Sequence, residues 1–273
     1  SYSPDRSLIS SGIEEIRKAL DLDPDCAEAR LSMFYALSVD GKYAEAMRQL
    51  IQVLKNQPNN SDAIGYLRYL YEYAGDFGKA ESYLNRYSQL VPAPDAELFQ
   101  RRGLLNLAQG RFDQCIENIR TALGMDPGKA FFHLINARAY IQLGKLTEAG
   151  AEIDIAKLSD STMPELYLER AALQTAQGDF KSSWLQLARI DTNLKTDPDY
   201  PAYAAAIYAK QGKTDDALLW MKRSYELGNR NYAYFKTFPW FASLQGDARF
   251  REIVGPIKTE IDDLVAEVER IGF

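Results

Sequence analysis

The sequence contains few of the residues from which catalytic and metal sites are usually built. It has one histidine, His133, and two cysteines, Cys26 and Cys115. A single histidine excludes a metal site with two histidine ligands in one chain, and serine–histidine or cysteine–histidine machinery would have to use it. Because no partner constellation can be placed around His133, we interpret it as a packed or surface side chain. The sequence therefore predicts no catalytic residues, no metal site and no enzyme.

Other absences narrow the class of protein further. No apolar run approaches the roughly 20 residues that a membrane-spanning helix needs, and residues 1–11 lack the pattern of a signal peptide. No glycine-rich phosphate loop occurs, so we expect no nucleotide cofactor. The formal net charge of −6 argues against a nucleic-acid partner, because nucleic-acid-binding proteins usually carry a basic face. The compartment stays open between the cytoplasm and the periplasm.

What the sequence does contain is a period of about 34 residues. Seven glycines carry it, at successive spacings of 34, 35, 34, 34, 34 and 34 residues. After the first of them come Tyr43, the small Ala46 and the apolar Leu50, and the later units follow the same pattern. Apolar side chains ahead of each glycine recur at helical spacing, so each unit is predicted to be a helix, a glycine turn and a second helix. The glycines are Gly41, Gly75, Gly110, Gly144, Gly178, Gly212 and Gly246.

Prolines mark the helix ends in the same register, because proline cannot continue a helical hydrogen-bond ladder. Those expected to terminate a second helix are Pro24, Pro58, Pro92 and Pro127. Pro201 is expected to delay the start of its helix, and Pro239 to interrupt the last unit. Phe34 and Arg68 stand where small residues are expected, which predicts looser helix spacing there.

The period and these residues resemble the tetratricopeptide repeat over essentially the whole chain. The resemblance implies an all-α fold, a right-handed superhelical solenoid of helix-turn-helix units with a C-terminal capping helix, as one domain over 1–273. Because a half repeat at 7–24 comes first, the chain is expected to be part of something longer. The predicted repeats are 27–60, 61–94, 96–129, 130–163, 164–197 and 198–231, followed by a degenerate repeat and capping helix over 232–273.

The C-terminal segment carries an apolar heptad pattern, which permits two interpretations. It can form a capping helix on the last repeat or the seam of a homodimer. The stretch 238–250 also resembles the end of the repeat region in bacterial regulators that carry an upstream effector domain. The seam residues are Ile257, Ile261, Leu264, Val268 and Ile271.

The resemblance also implies a concave groove lined by the first helices of the units. Tyrosine offers a large contact area and arginine can grip a carboxylate, so we expect a groove for a peptide with an acidic group. The function predicted is a non-catalytic scaffold or regulatory domain that binds a protein or peptide. The groove residues are Leu31, Tyr35, Tyr66, Tyr69, Tyr73, Gln100, Arg101, Leu104 and Arg138.

Three alternatives stay open at this point. The tyrosines can simply pack against neighbouring helices, the groove can sense a small molecule or glycan, or the chain can self-associate. One groove of this family grips acidic chaperone tails through lysine and asparagine. The equivalent positions here hold neither residue type, so that ligand is disfavoured; they are Leu31, Tyr35, Gly65, Tyr69, Gln100 and Leu104.

Overall fold

A computed structural model describes residues 6–91, 93–190 and 197–272. Within these ranges the chain forms α-helices joined by short turns and contains no β-strand, which confirms the predicted all-α class. A short 3₁₀ helix, Pro239–Leu244, lies between the last two α-helices. The α-helices are α1 (Arg6–Leu22), α2 (Ala27–Val39), α3 (Tyr43–Asn56), α4 (Ser61–Ala74), α5 (Phe77–Leu90), α6 (Ala96–Ala108), α7 (Phe112–Met125), α8 (Ala130–Gln142), α9 (Leu146–Ser159), α10 (Glu165–Ala176), α11 (Phe180–Ala188), α12 (Asp199–Lys210), α13 (Thr214–Glu226), α14 (Tyr232–Thr237) and α15 (Ala248–Arg270).

The helices fall in consecutive pairs, and each predicted repeat range contains one pair. From α2 to α11 the two helices of each pair pack directly against one another. By their contacts the described residues divide into two compact units. The central unit comprises 93–190 and 200–220, and the terminal unit comprises 6–91, 197–199 and 221–272. The prediction of a single domain over 1–273 stays a prediction.

The turn inside each pair depends on a glycine in the left-handed backbone region. The first six repeat glycines have φ between +72° and +83°. In the first turn the Lys42 N–H donates to the Leu37 carbonyl at 2.9 Å, which satisfies a carbonyl at the end of α2. Gly246, the seventh, does not have a positive φ. It follows the 3₁₀ helix rather than a repeat helix, in the last unit, which Pro239 is predicted to interrupt.

The small side chains of the second helices lie at the tightest packing points. All six are fully buried, at 0% exposure. The packing is also tight on the first-helix side in the third repeat. A Cβ added to Gly103 of α6 would lie 2.6 Å from the Ile119 Cδ1 atom of α7. Phe34 and Arg68, where looser spacing is predicted, are both buried as well. The six small residues are Ala46, Ala80, Cys115, Ala149, Ser183 and Ala217.

Prolines end the second helices as the sequence predicts. The helices α1, α3 and α7 each end two residues before Pro24, Pro58 and Pro127, and Pro92 lies outside the described residues. The prediction for Pro201 is wrong, because α12 begins at Asp199 and takes Pro201 into its first turn. Proline is tolerated there since the first N–H groups of a helix have no acceptor within the helix.

The C-terminal helix α15 packs in the terminal unit against α3, α4 and α14. Ion pairs join it to other elements: Arg48 to Glu267 at 3.4 Å and Arg230 to Glu260 at 2.5 Å. It also contacts the last repeat, since the Tyr225 hydroxyl of α13 donates to Glu260 at 2.7 Å. The predicted capping helix therefore packs on α3 and α4 as well as on the last repeat. Four of the predicted dimer-seam residues are buried within the chain, so a homodimer through them would require α15 to leave its place. They are Ile257, Ile261, Leu264 and Val268.

Two glycine turns meet in the same unit, a contact that the repeat pattern does not predict. Gly41, in the first repeat, lies against the backbone of Leu227 and Gly228. A Cβ at Gly41 would collide with the Leu227 carbonyl, and one at Gly228 would collide with Gly41. Both glycines also have positive φ. The terminal unit therefore requires glycine at these positions for close approach as well as for turn geometry.

We expect Ala149→Leu to destabilise the protein by about 1–3 kcal/mol, because added methylene groups overfill a closed helix–helix contact. Ala149 is fully buried, and denaturant unfolding measures the loss. Ala151→Leu, two residues away at an exposed position of α9, is the matched control and should leave the midpoint unchanged. Equal midpoints for both variants would contradict the packing described here.

We expect Ile261→Ala to destabilise the protein by about 2–5 kcal/mol, because it opens a cavity under α15. Ile261 is fully buried, whereas Thr259 on the same helix is exposed, so Thr259→Ala is the control. Denaturant unfolding and sedimentation velocity are measured together. A variant that keeps its stability but changes from dimer to monomer would show that the apolar seam is intermolecular.

Candidate functional site

The tyrosines of the predicted groove lie on two neighbouring first helices of the terminal unit. On α2, Leu31, Tyr35 and Val39 are spaced by four residues and so share one side of the helix. On α4, Tyr66, Tyr69 and Tyr73 follow one another at intervals of three and four residues, which again places them on one side. We call these six residues the aromatic face.

The two helices bring these rings together. Tyr35 is 48% exposed, and its ring meets that of Tyr66 edge-on at a centroid distance of 5.1 Å. The buried Phe34 ring lies beneath, 5.0 Å from Tyr66. At the other end the Tyr69 and Tyr73 rings are 6.4 Å apart, and Tyr73 stacks on Tyr43 at 5.4 Å. Packing therefore fixes one side of the cluster while Tyr35 and Val39 remain open to solvent.

Burial sets the protonation of the phenol groups at this end of the cluster. It raises the pKa of Tyr73 above the ordinary value for tyrosine, and the negative charge of Asp199 raises it further. Burial likewise raises the pKa of Tyr43. Both hydroxyl groups therefore stay neutral at physiological pH.

A buried arginine supports the aromatic face, although the sequence suggested only a packing irregularity there. The Arg68 guanidinium lies 3.9 Å from the centroid of the Tyr69 ring, within cation–π range. Arg68 is fully buried and forms an ion pair with Glu72 one turn later on α4. Burial raises the pKa of the Glu72 carboxyl, and the Arg68 charge opposes that shift. The sequence signal for this pairing is the spacing of four residues between Arg68 and Glu72, which places opposite charges one helical turn apart.

The remaining predicted groove residues lie in the central unit, where the structure shows the arginines already paired. Arg101 on α6 is buried and forms an ion pair with Glu97. Arg138 on α8 forms an ion pair with Glu169 on α10. Gln100 and Leu104 are half-buried on α6. The arginines that the sequence assigns to a ligand carboxylate therefore bind carboxylates of the chain itself.

Glu169 connects three first helices of the central unit. It is fully buried, and one carboxylate oxygen accepts both from Arg138 and from the Tyr203 hydroxyl of α12, the latter at 2.8 Å. Burial raises the pKa of the Glu169 carboxyl, while the Arg138 charge and these hydrogen bonds lower it. This arrangement stabilises the stacking of α8, α10 and α12 and makes Arg138 a structural residue.

The residues with catalytic potential are held in ordinary packing contacts. The His133 Nδ1 atom lies 2.6 Å from a carboxylate oxygen of Glu152, and the Asn136 amide donates to the other oxygen at 3.3 Å. Burial raises the pKa of the Cys115 thiol to about 12, so the reactive thiolate is scarcely formed at neutral pH. Over 6–91, 93–190 and 197–272, no three potential ligand side chains are grouped to hold a metal ion. Those same ranges contain no helix with the length and hydropathy of a membrane span.

Comparisons with known proteins find a family model that matches part of the chain and solved structures with a similar fold. Residues 101–164 match the family model of the tetratricopeptide repeat. A human IFIT1 dimer with PPP-AAAA has a similar structure, with a TM-score of 0.59 and 14% identity over 96% of this chain and 69% of that chain. No curated protein sequence matches the chain significantly.

Two further solved structures share the fold. A tetratricopeptide repeat protein from Parabacteroides merdae has a TM-score of 0.50 and 15% identity, and the match covers 89% of this chain and 98% of that chain. The APC/C hetero-tetramer Cut9–Hcn1 has a TM-score of 0.56 and 15% identity over 98% of this chain and 54% of that chain. At this identity the likeness shows the fold.

The chain is thus an all-α repeat protein built from helix–turn–helix units. The 34-residue period and the left-handed glycine turns extend along the chain the pattern of the tetratricopeptide repeat, whose family model matches residues 101–164. This fold suggests a role in protein–protein interaction, and proteins of this type are generally non-catalytic scaffolds. The resemblance of 238–250 to bacterial regulators stays a prediction.

We expect Arg138→Ala to destabilise the protein by about 3–5 kcal/mol at neutral pH, because it leaves the buried Glu169 without its counter-charge. Burial raises the pKa of the Glu169 carboxyl in the folded protein, so protonation of this group contributes to the free energy of unfolding at low pH. That contribution is lost as pH rises through the folded-state pKa. Removing Arg138 raises this pKa further, so the loss should be small at about pH 5 and full at about pH 8.

Urea unfolding of Arg138→Ala at both pH values checks this expectation. The control is the double variant Arg138→Ala/Glu169→Gln, which lacks the titrating carboxyl and should show little dependence on pH in this range. A loss of stability that is the same at both pH values would show that Glu169 is not the group left uncompensated.

Proposed function

We propose that the chain is a non-catalytic scaffold that binds a peptide segment of a protein partner on its aromatic face. The tetratricopeptide-repeat fold supports an interaction role. The particular observation behind the proposed site is a set of four tyrosines on two adjacent helices. Tyr35 contacts Tyr66, Tyr69 contacts Tyr73, and Tyr35 is half exposed.

Tyrosine at such a place is suited to holding a partner. A tyrosine side chain buries a large area on binding and has only two side-chain torsions to fix, so the entropic cost of binding is low. Here the rings also constrain one another, and Arg68 supports Tyr69 from within. The surface is therefore preorganised, which favours affinity.

The open form of the aromatic face favours a macromolecular segment over a small molecule. Small ligands usually bind in clefts that bury most of their surface. In contrast, Tyr35 and Val39 stand about half exposed on the α2 surface. A peptide laid along two helices can contact such a surface over several residues.

Self-association and nucleic-acid binding are the two remaining questions about partners. Self-association through the heptad of α15 receives no support, since its apolar side chains are buried in the chain. Absence of a nucleic-acid partner stays a prediction. Because the structurally similar IFIT1 dimer is a structure with PPP-AAAA, an RNA oligonucleotide belongs in the binding experiments.

We expect the double variant Tyr35→Ala/Tyr69→Ala to lose binding to peptides selected on the wild-type protein. A library of random linear peptides displayed on phage provides the probes, and fluorescence anisotropy of the selected peptides measures affinity. Truncation of a central aromatic contact costs about 1–2 kcal/mol, so each substitution should weaken binding roughly tenfold.

The control is Leu185→Ala/Leu219→Ala, which removes two exposed apolar side chains of α11 and α13 in the central unit. It should bind the selected peptides as the wild type does. Thermal unfolding of each variant separates loss of binding from loss of structure. If no peptide is enriched, or if enriched peptides bind the tyrosine variant equally well, the proposed function fails.

A further inference from the structure

Charge distribution around the aromatic face indicates which peptides it would accept. Each of its two helices begins with an exposed carboxylate, Glu28 on α2 and Asp62 on α4. These residues stand 34 positions apart, at the same place in successive repeats. Each precedes its tyrosine, Tyr35 or Tyr69, by seven residues, which is two helical turns along the same side. On each helix, therefore, a carboxylate and a tyrosine ring lie on the same side, two turns apart.

The cation next to this face does not present its charge to solvent. Arg68 is completely buried, with Glu72 as its ion-pair partner and the Tyr69 ring against its guanidinium. Its positive charge is thus compensated inside the unit. By helical spacing, the charged residues on the tyrosine-bearing sides of these helices are Glu28 and Asp62, and both are negative. Arg30 of α2 lies two residues after Glu28, on a different side of the helix, and donates to the Pro24 carbonyl and to Gln49.

A third carboxylate acts at the far end of the face. Asp199, the exposed first residue of α12 and part of the same terminal unit, raises the pKa of Tyr73 through its negative charge. Negative charge therefore acts on the Tyr73 end of the aromatic face as well as at the starts of α2 and α4. Tyrosine rings with a carboxylate alongside are a suitable environment for a guanidinium or ammonium group, which can stack on the ring and pair with the carboxylate.

We propose that the segment bound on the aromatic face is basic, with arginine or lysine side chains that stack on Tyr35 and Tyr69 and pair with Glu28 and Asp62. This inference rests on the proposed function and specifies its ligand. It replaces the acidic peptide suggested by the sequence, because Arg101 and Arg138, which would have held an acidic group, form ion pairs with Glu97 and Glu169.

Three labelled peptides test the charge preference directly. The first alternates arginine, glycine, tyrosine and serine; the second replaces every arginine by glutamine, and the third replaces every arginine by glutamate. Fluorescence anisotropy should show the arginine peptide binding most tightly and the glutamate peptide least. Affinity for the arginine peptide should fall as salt is raised, because exposed charges are screened.

Charge variants of the protein locate the effect. Exposed ion pairs are worth up to about 1 kcal/mol each, so Glu28→Gln/Asp62→Asn should weaken the arginine peptide roughly tenfold and leave the glutamine peptide nearly unchanged. Glu117→Gln/Glu148→Gln, which removes two exposed acids of α7 and α9, changes the net charge equally and should have no effect. Because first-turn acids also stabilise helices, thermal unfolding accompanies each measurement.

The outcomes distinguish the proposal of a basic ligand from the proposal of a peptide site on the aromatic face. If random-library peptides depend on Tyr35 and Tyr69 but are neutral or acidic, the basic ligand is wrong and the peptide site stands. Arginine-peptide binding that survives Tyr35→Ala/Tyr69→Ala, or that falls equally in both charge variants, also overturns it. Competition by an RNA oligonucleotide for the same tyrosines would overturn it as well, since a polyanion cannot use this charge pattern.

Discussion

Close approach of two helices at a small buried side chain is the contact on which the rest of this structure depends. In every repeat one such residue lies fully buried where the helices cross, and a left-handed glycine turns the chain so that the second helix can return. Larger side chains would separate the helices and remove the dispersion contacts of the apolar residues on either side. Because the packing within each pair uses only the facing sides of its two helices, the residue types on the outward side of each first helix can differ between repeats.

Much of the fold could be predicted from the sequence because its determinants are local. Helical periodicity, the turn glycine and the terminating proline all act within a few residues, so their spacing sets the ends of α1, α3 and α7 closely. Where a rule needs context, prediction fails. Pro201 lies within a helix because first-turn N–H groups need no acceptor. The packing of α15 is non-local, and an apolar stripe alone does not choose between α3, α4, the last repeat and another chain.

The candidate site depends on information of a different kind. Repeat register identified which side of α2 and α4 carries the tyrosines, since that depends only on helical spacing. It could not show which charges are compensated. Glu169 lies 31 residues after Arg138, and only the stacking of α8 on α10 brings the two together. A sequence shows that an arginine is present, whereas its availability to a ligand depends on whether a buried carboxylate from another repeat already holds it.

The position occupied by Tyr35 and Tyr69 is held by Leu104 and Arg138 in the next two repeats, so the aromatic character is confined to the terminal unit. In that unit α4 is unusually constrained. Its buried side carries Tyr71, which stacks on Tyr83 of α5 at 5.0 Å, and both α14 and α15 pack against the helix. A helix packed against so many elements cannot readily rotate about its axis. Tyr66, Tyr69 and Tyr73 therefore project from a helix whose orientation is fixed by packing. A peptide bound there, as proposed, would meet a preorganised surface, which lowers the ordering cost of binding.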